Sequence, residues 1–304
     1  MKRLPLLLLT ISLSLLPPCV AEDEQLQVVV LTGVLGDFTE QVGGRRVKVL
    51  PVAPPGANPH FFEPSPGEIR TMSQSDLVLA SGLGLEPYLD RLANALEGET
   101  KLVVVGESIK NPIEGESCSA HAHAHNRDHS HGEVDPHWWH SVENARVAVA
   151  AIRDALIATD PANEAIYLAN ARAYDQKLAE LEKWMRLEVA KLPRQQRVLV
   201  TSHAALAYFA RDHHFRVLPV QGLSTAEQPS ARQLQEIIDL LRREKVNAVF
   251  VENAENPASL EDISKESGVR IGGTLYADDL GETEAATYEE MMRHNVSTIV
   301  SNLR

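Results

Sequence analysis

Three histidines and an acidic pair stand where a folded chain can use them. His60 lies in a Pro/Gly loop, His137 at the start of a helix, and His203 directly after the strand-like run RVLVTS. Asp278 and Asp279 follow another strand-like run. Ligands outside the carboxyl ends of parallel strands are the usual site geometry of open α/β sheets. From His60 to Asp278 the spacings are 77, 66 and 75 residues, so no local metal motif exists and the groups meet only by folding. Three imidazoles and one carboxylate suit a tetrahedral Zn²⁺, whereas an oxygen-rich set suits manganese better. Any one of these residues alone is more simply structural, and their joint placement carries the reading. His140 competes for the ligand role, one helical turn from His137. His213 and His214 end a helix and, with His294, are read as surface residues.

A second histidine signal is compositional. His121, His123, His125, His129 and His131 alternate with small and polar residues and have no apolar face, so they cannot build a core. They are read as an auxiliary metal-capture loop spanning 119–133. Cys118 beside it is read as a bystander.

The elements that must position these groups follow from periodicity. Residues 27–32 (QVVVLT), 47–52, 76–80 and 102–105 read as buried strands, with helical patterns at 35–43, from 65 onward and at 87–96 between them. Ser65-Pro66 is a helix start, a capping serine followed by a first-turn proline. Helical patterns then run from 142 to 157 and, from Asp160-Pro161, for about 32 residues to Pro193, roughly 48 Å of helix. The strand–helix rhythm restarts with strands at 197–201, 215–220, 248–252 and 269–275, and closes on a helix at 287–303. The fold class is therefore α/β, two βα lobes with parallel sheets and a long helix between them. The expected division is 1–21 signal peptide, 25–140 first lobe, 141–193 helical segment and 194–304 second lobe. No sequence repeat relates the lobes.

Composition narrows the function. The formal net charge of −13 argues against a nucleic-acid partner and gives no reason to expect an anionic membrane surface. Lys2 and Arg3, an apolar run at 4–16 and Cys19-Val20-Ala21 make a secretory signal, so the mature protein is expected outside the cytoplasm. Leu16-Pro17-Pro18-Cys19 places a leucine three residues before a cysteine, as in bacterial lipoproteins. Its two prolines are poor lipobox residues, so a plain cleaved signal is preferred over a lipid anchor. Only Cys118 survives cleavage, and no internal disulfide can form.

The runs NPHFFEPSPGEI (58–69), DPHWW with ENA (135–145), VTSHAALAYFA (200–210), QGLSTAEQPSARQL (221–234) and YADDLG (276–281) together resemble the solute-binding proteins of zinc and manganese ABC transporters. The resemblance covers nearly the whole mature chain. It implies two lobes joined by one rigid helix with the metal between them, and maps the ligands onto His60, His137, His203 and Asp278, in preference to Asp279. Manganese members of that family carry a glutamate at the His203 position, which favours Zn²⁺. The resemblance implies a non-enzymatic monomer that serves a membrane permease, with a periplasmic zinc chaperone as a further partner. His140 departs from the family's usual leucine. Glu63, His140 and Glu252 are expected around the ligands. A zinc hydrolase using Glu63 or Glu252 as base, and a zinc buffer or adhesin of the same fold, are the rival readings.

Overall fold

The computed structural model describes residues 25–54, 56–96, 100–114, 134–223, 229–254 and 256–304. The signal segment, Cys118 and the five histidines of the 119–133 run lie outside the described residues.

The first lobe is built on four parallel strands, β1 (Leu26–Val30), β2 (Val47–Pro51), β3 (Leu77–Ala80) and β4 (Lys101–Val104), in spatial order β2-β1-β3-β4. Apolar residues run continuously along β3 and along residues 28–30 of β1 because both faces are covered there. Val28, Val30, Leu77 and Leu79 face the larger core with α1 (Gly33–Gly43). Val29, Val78 and Ala80 face a smaller one with Met72 of α2 (Pro66–Ser73) and Leu92 of α3 (Leu89–Ala95). The helix start at Ser65 is a full capping box: its hydroxyl accepts from Glu68 N, and the Glu68 carboxylate accepts from Ser65 N.

The second lobe repeats this plan. Strands β5 (Val198–Thr201) and β6 (Arg216–Pro219) pair in parallel, as do β7 (Ala248–Glu252) and β8 (Arg270–Leu275). Strand β5 runs beside β7. The strands form two separate pairs, and with β5 beside β7 their spatial order β6-β5-β7-β8 follows that of the first lobe, a repetition that leaves no trace in the residue types. Helices α7 (Ala231–Glu244) and α8 (Ala258–Ser267) cover one face through Ile238, Leu241, Leu260 and Ile263. Helix α9 (Tyr288–Leu303) covers the other, and the short α6 (Ala207–His213) lies between β5 and β6 in the chain.

Between the lobes run α4 (Val142–Thr159) and α5 (Glu164–Val189). The long helix is shorter than its sequence pattern. Its first turn, Pro161–Asn163, is a 3-10 turn, and the chain leaves the helix after Val189, ahead of Pro193. Asp160 holds that start by accepting from Tyr167 Oη and Asn163 Nδ2, both at 2.7 Å. The buried residues of α5, Tyr167, Ala171, Tyr174, Leu178, Leu181, Met185 and Val189, repeat every three or four positions and form one stripe. That stripe packs on α1, α4 and α9, so one helix spans elements of both lobes. Phe38 on α1 is fully buried at this junction, with its ring centroid 4.9 Å from Tyr288 and 6.0 Å from Tyr174. No helix among the described residues is long and apolar enough to cross a membrane.

Candidate metal centre

His60 follows β2 in the Pro/Gly loop. Asn58 shapes the turn, its side-chain oxygen accepting from His60 N at 2.9 Å. His137 opens a 3-10 turn, Trp138–His140, and Asp135 organises it the same way, accepting from His137 N at 2.9 Å. His203 follows β5 and Asp278 follows β8. The structure brings all four side chains to one point, each offering one atom within 4.8 Å of the others.

Five of the six separations are close to the edges of a small tetrahedron, and the sixth, His60 to His203, lies within 4.8 Å. His137 Nε2 lies 3.1 Å from His60 Nε2 and 3.3 Å from His203 Nε2. Asp278 Oδ1 lies 3.1 Å from His203 Nε2, 3.4 Å from His137 Nε2 and 3.7 Å from His60 Nε2. A cation about 2 Å from four such atoms would hold them about 3.3 Å apart. His137, His203 and Asp278 are buried, and His60 is half-buried as a residue with its side chain only 5% exposed.

Two imidazoles are braced from behind. His137 Nδ1 lies 2.8 Å from Asp135 Oδ1, and His203 Nδ1 meets Glu252 Oε2 at the end of β7. A Nδ1–H given to a carboxylate leaves the Nε2 lone pair facing the cluster. Asp278 differs, since neither of its buried oxygens has a hydrogen-bond partner among the described residues. A buried carboxylate that faces only the cluster's imidazoles and has no backbone or side-chain brace is costly unless a cation satisfies it, and the donor set fits one.

The electrostatics agree. Burial raises the Asp278 carboxyl, but the His203 charge and the three imidazole contacts outweigh it and hold the group well below its usual range. Burial lowers His203, yet the Asp278 and Glu252 charges drive it well above the ordinary imidazole value. His137 is likewise lowered by burial and raised more by Asp135 and Asp278. At His60 burial prevails and the value falls. The contacts within the site thus favour the charged forms of Asp278, His203 and His137.

The remaining expected residues separate. Glu252 braces His203, on the ring edge away from the cluster. His140 stays out of the ligand group. It is buried, its Nε2 donates to Ala277 O at 2.8 Å, and burial pulls it down to about 4. Glu63 is a correction: it is exposed and pairs with Arg91 at 2.9 Å, away from the cluster. His213 is another. It is buried against Phe209 and pushed down to about 4 by that burial, because His214 turns left-handed (φ 59°) and folds Phe215 back over the helix end. Asp135 was not singled out from the sequence, though an acid two residues before a histidine is the spacing of this brace.

Four converging potential ligand atoms between two βα lobes, with one long helix spanning both, define a two-lobed metal-binding protein. Comparison with known sequences agrees: the chain belongs to the family described as Zinc-uptake complex component A periplasmic (ZnuA), matched over residues 28–302. It is 36% identical to the manganese-binding lipoprotein MntA of Bacillus subtilis, over 93% of this chain and 91% of that protein. It is 31% identical to the zinc-binding protein TroA of Treponema pallidum, over 93% and 90%. The solved structure of TroA superposes with a TM-score of 0.82 at 29% identity, covering 92% of this chain and 99% of that one.

Proposed function

We propose that this protein captures Zn²⁺ outside the cytoplasm through His60, His137, His203 and Asp278 and delivers it to a membrane permease. The observation that supports it is the size and composition of the cluster, three imidazole nitrogens and one carboxylate oxygen spaced for a cation about 2 Å from each. Four protein ligands fill a tetrahedron and leave no open position for an activated water, so a hydrolase is disfavoured. Glu252, the base that a hydrolase would use, is engaged with His203 instead. Residues 25–140 and 194–304 act as the two lobes about the 141–193 segment, the protein works as a monomer, and the 119–133 histidines collect metal, with a periplasmic chaperone as a donor.

Manganese is the second reading, because MntA, at 36% identity, is named a manganese-binding protein. The donor set argues for zinc, since manganese favours oxygen-rich sites. Competition decides between them: metal-free mature protein is offered equal zinc and manganese, and the bound metal is quantified by mass spectrometry. Zinc occupancy with a shift toward manganese in His203→Glu supports the proposal; manganese occupancy of the parent overturns it. The lipoprotein names of two MntA relatives and of SsaB from Streptococcus sanguinis also reverse the preference for a plain signal peptide. We infer a lipid anchor at Cys19.

A further inference from the structure

By chain order Asp278 belongs to the second lobe, but the residues on either side of it are gripped by the first-lobe side of the junction. Ala277 O accepts from His140 Nε2 at 2.8 Å and from Trp139 Nε1 at 3.0 Å, and both donors sit in the turn that carries His137. Asp279 Oδ1 accepts from Gly33 N at 2.9 Å, at the N-terminus of α1, and also from Leu280 N at 2.8 Å. A carboxylate is well placed there, because the first N–H groups of a helix lack intrahelical partners and carry positive partial charge. The approach depends on Gly33: a Cβ at that position would stand 2.4 Å from Asp279 Oδ1. Asp279, Ala277, Trp139 and His140 are all buried, so water does not compete for these bonds. On the second-lobe side the same segment is tied to α9, where Asn295 bonds both the N–H and the carbonyl of Tyr276.

The structure assigns Asp279 and His140 a positioning role: together they staple the 277–279 segment to α1 and to the His137 turn and so set the place of the ligand Asp278. The inference rests on the metal site proposed above. Asp278 needs such support from its neighbours, because among the described residues its own oxygens face only the other members of the cluster, whereas His137 and His203 each have a carboxylate brace. The staple also joins metal geometry to the lobe junction. A shift of α1 against β8 moves Asp279, and with it the neighbouring ligand. Neither side chain touches the metal, and each acts through Asp278.

The test uses the mature, metal-free protein loaded with Co²⁺, whose visible absorption reports four-coordinate geometry, and with Zn²⁺, whose dissociation is followed with a colorimetric chelator. Asp279→Ala removes the acceptor, and Asp279→Asn keeps an oxygen for Gly33 N. His140→Leu removes the donor, and His140→Gln supplies an amide N–H in its place. Gly33→Ala pushes the clamp apart without altering either residue. The expected result is a changed cobalt spectrum and zinc release accelerated about tenfold in Asp279→Ala, the scale of one lost hydrogen bond to a charged group. His140→Leu and Gly33→Ala should show the same signature, and Asp279→Asn and His140→Gln should return toward the parent. A merely structural role would lower thermal stability but leave the cobalt spectrum alone. If the Ala and Leu variants keep the parent's spectrum and release rate, the staple is overturned while the metal site stands. If the parent binds neither ion, or if His203→Ala binds as well as the parent, both readings fall. Should Asp279→Ala fail to fold, Gly33→Ala and His140→Leu decide the question by the same two readouts.

Discussion

His137 Nδ1 lies 2.8 Å from Asp135 Oδ1, and the same oxygen accepts from the His137 backbone N–H at 2.9 Å. One carboxylate oxygen thus sets both the turn and the ring that emerges from it. Glu252 treats His203 alike, with one oxygen on the ring and the other 3.3 Å from the backbone nitrogen. Each brace fixes a tautomer as well as an orientation.

Removing a brace should therefore weaken metal binding without removing a ligand. Asp135→Asn and Glu252→Gln are expected to lower zinc affinity about 10–100-fold, measured by competition with a fluorescent chelator. Affinity unchanged in both variants would mean that the carboxylates serve folding alone.

Protons and metal compete for the same atoms, and the signs can be assigned. His203 is raised in the folded chain, so its contribution to stability is fully present below the unfolded value of about 6.5 and is lost as pH rises through the folded value. Asp278 is depressed, so its contribution is present above the unfolded carboxylate range and is lost as pH falls through the folded value. The metal-free protein is thus stabilised by this pair from the carboxylate range up to the raised His203 value. Zinc must displace the imidazole protons, so its affinity should climb with pH across the upper part of that window. Calorimetry near neutral pH in buffers of different ionisation heat should show net proton release on binding. Heats independent of the buffer would count against a protonated metal-free site.

The lobe junction should be the costliest place to open a cavity. Phe38 is fully buried among Trp138, Tyr174 and Tyr288, which come from three separate parts of the chain. Phe38→Ala is expected to cost about 3–5 kcal/mol in urea unfolding of the metal-free protein. A loss below about 1 kcal/mol would show that the junction collapses around the gap.

The histidine run at 119–133 should act on rate. Its deletion is expected to leave equilibrium zinc affinity unchanged and to slow zinc acquisition from a weak chelator in stopped-flow mixing. Identical kinetics and affinity would remove the capture role.

Cys19 decides the anchoring. Expressed with its signal in a lipoprotein-processing bacterium, the parent is expected in the detergent phase after detergent partitioning, and Cys19→Ser in the aqueous phase. Aqueous behaviour of the parent would restore the plain signal peptide.

Two of the four candidate positions, His203 and Asp278, were legible because a histidine or aspartate just past an apolar run is placed, by the parallel βα pattern alone, at a strand's carboxyl end, whereas His60 and His137 lie in loops and were picked out as ligands by the family resemblance. Runs such as 28–32 and 248–252 are buried on both faces, and that needs no long-range information to read. The strand rhythm likewise announced two similar halves, although the matching strand orders of the two lobes carry no residue signature. The sequence by itself therefore determined the elements, the ligand candidates and the donor chemistry. What tertiary structure alone decided is which candidates meet. His140, one helical turn from His137, turns to Ala277 O instead of the cluster, and Glu63 points to Arg91. Asp279, adjacent to a ligand, closes on Gly33 at a separation of 246 residues. Such choices depend on where two independently wound lobes place their strand ends against one another. That placement comes from the core packed around Phe38 and α5, so no local spacing can encode it.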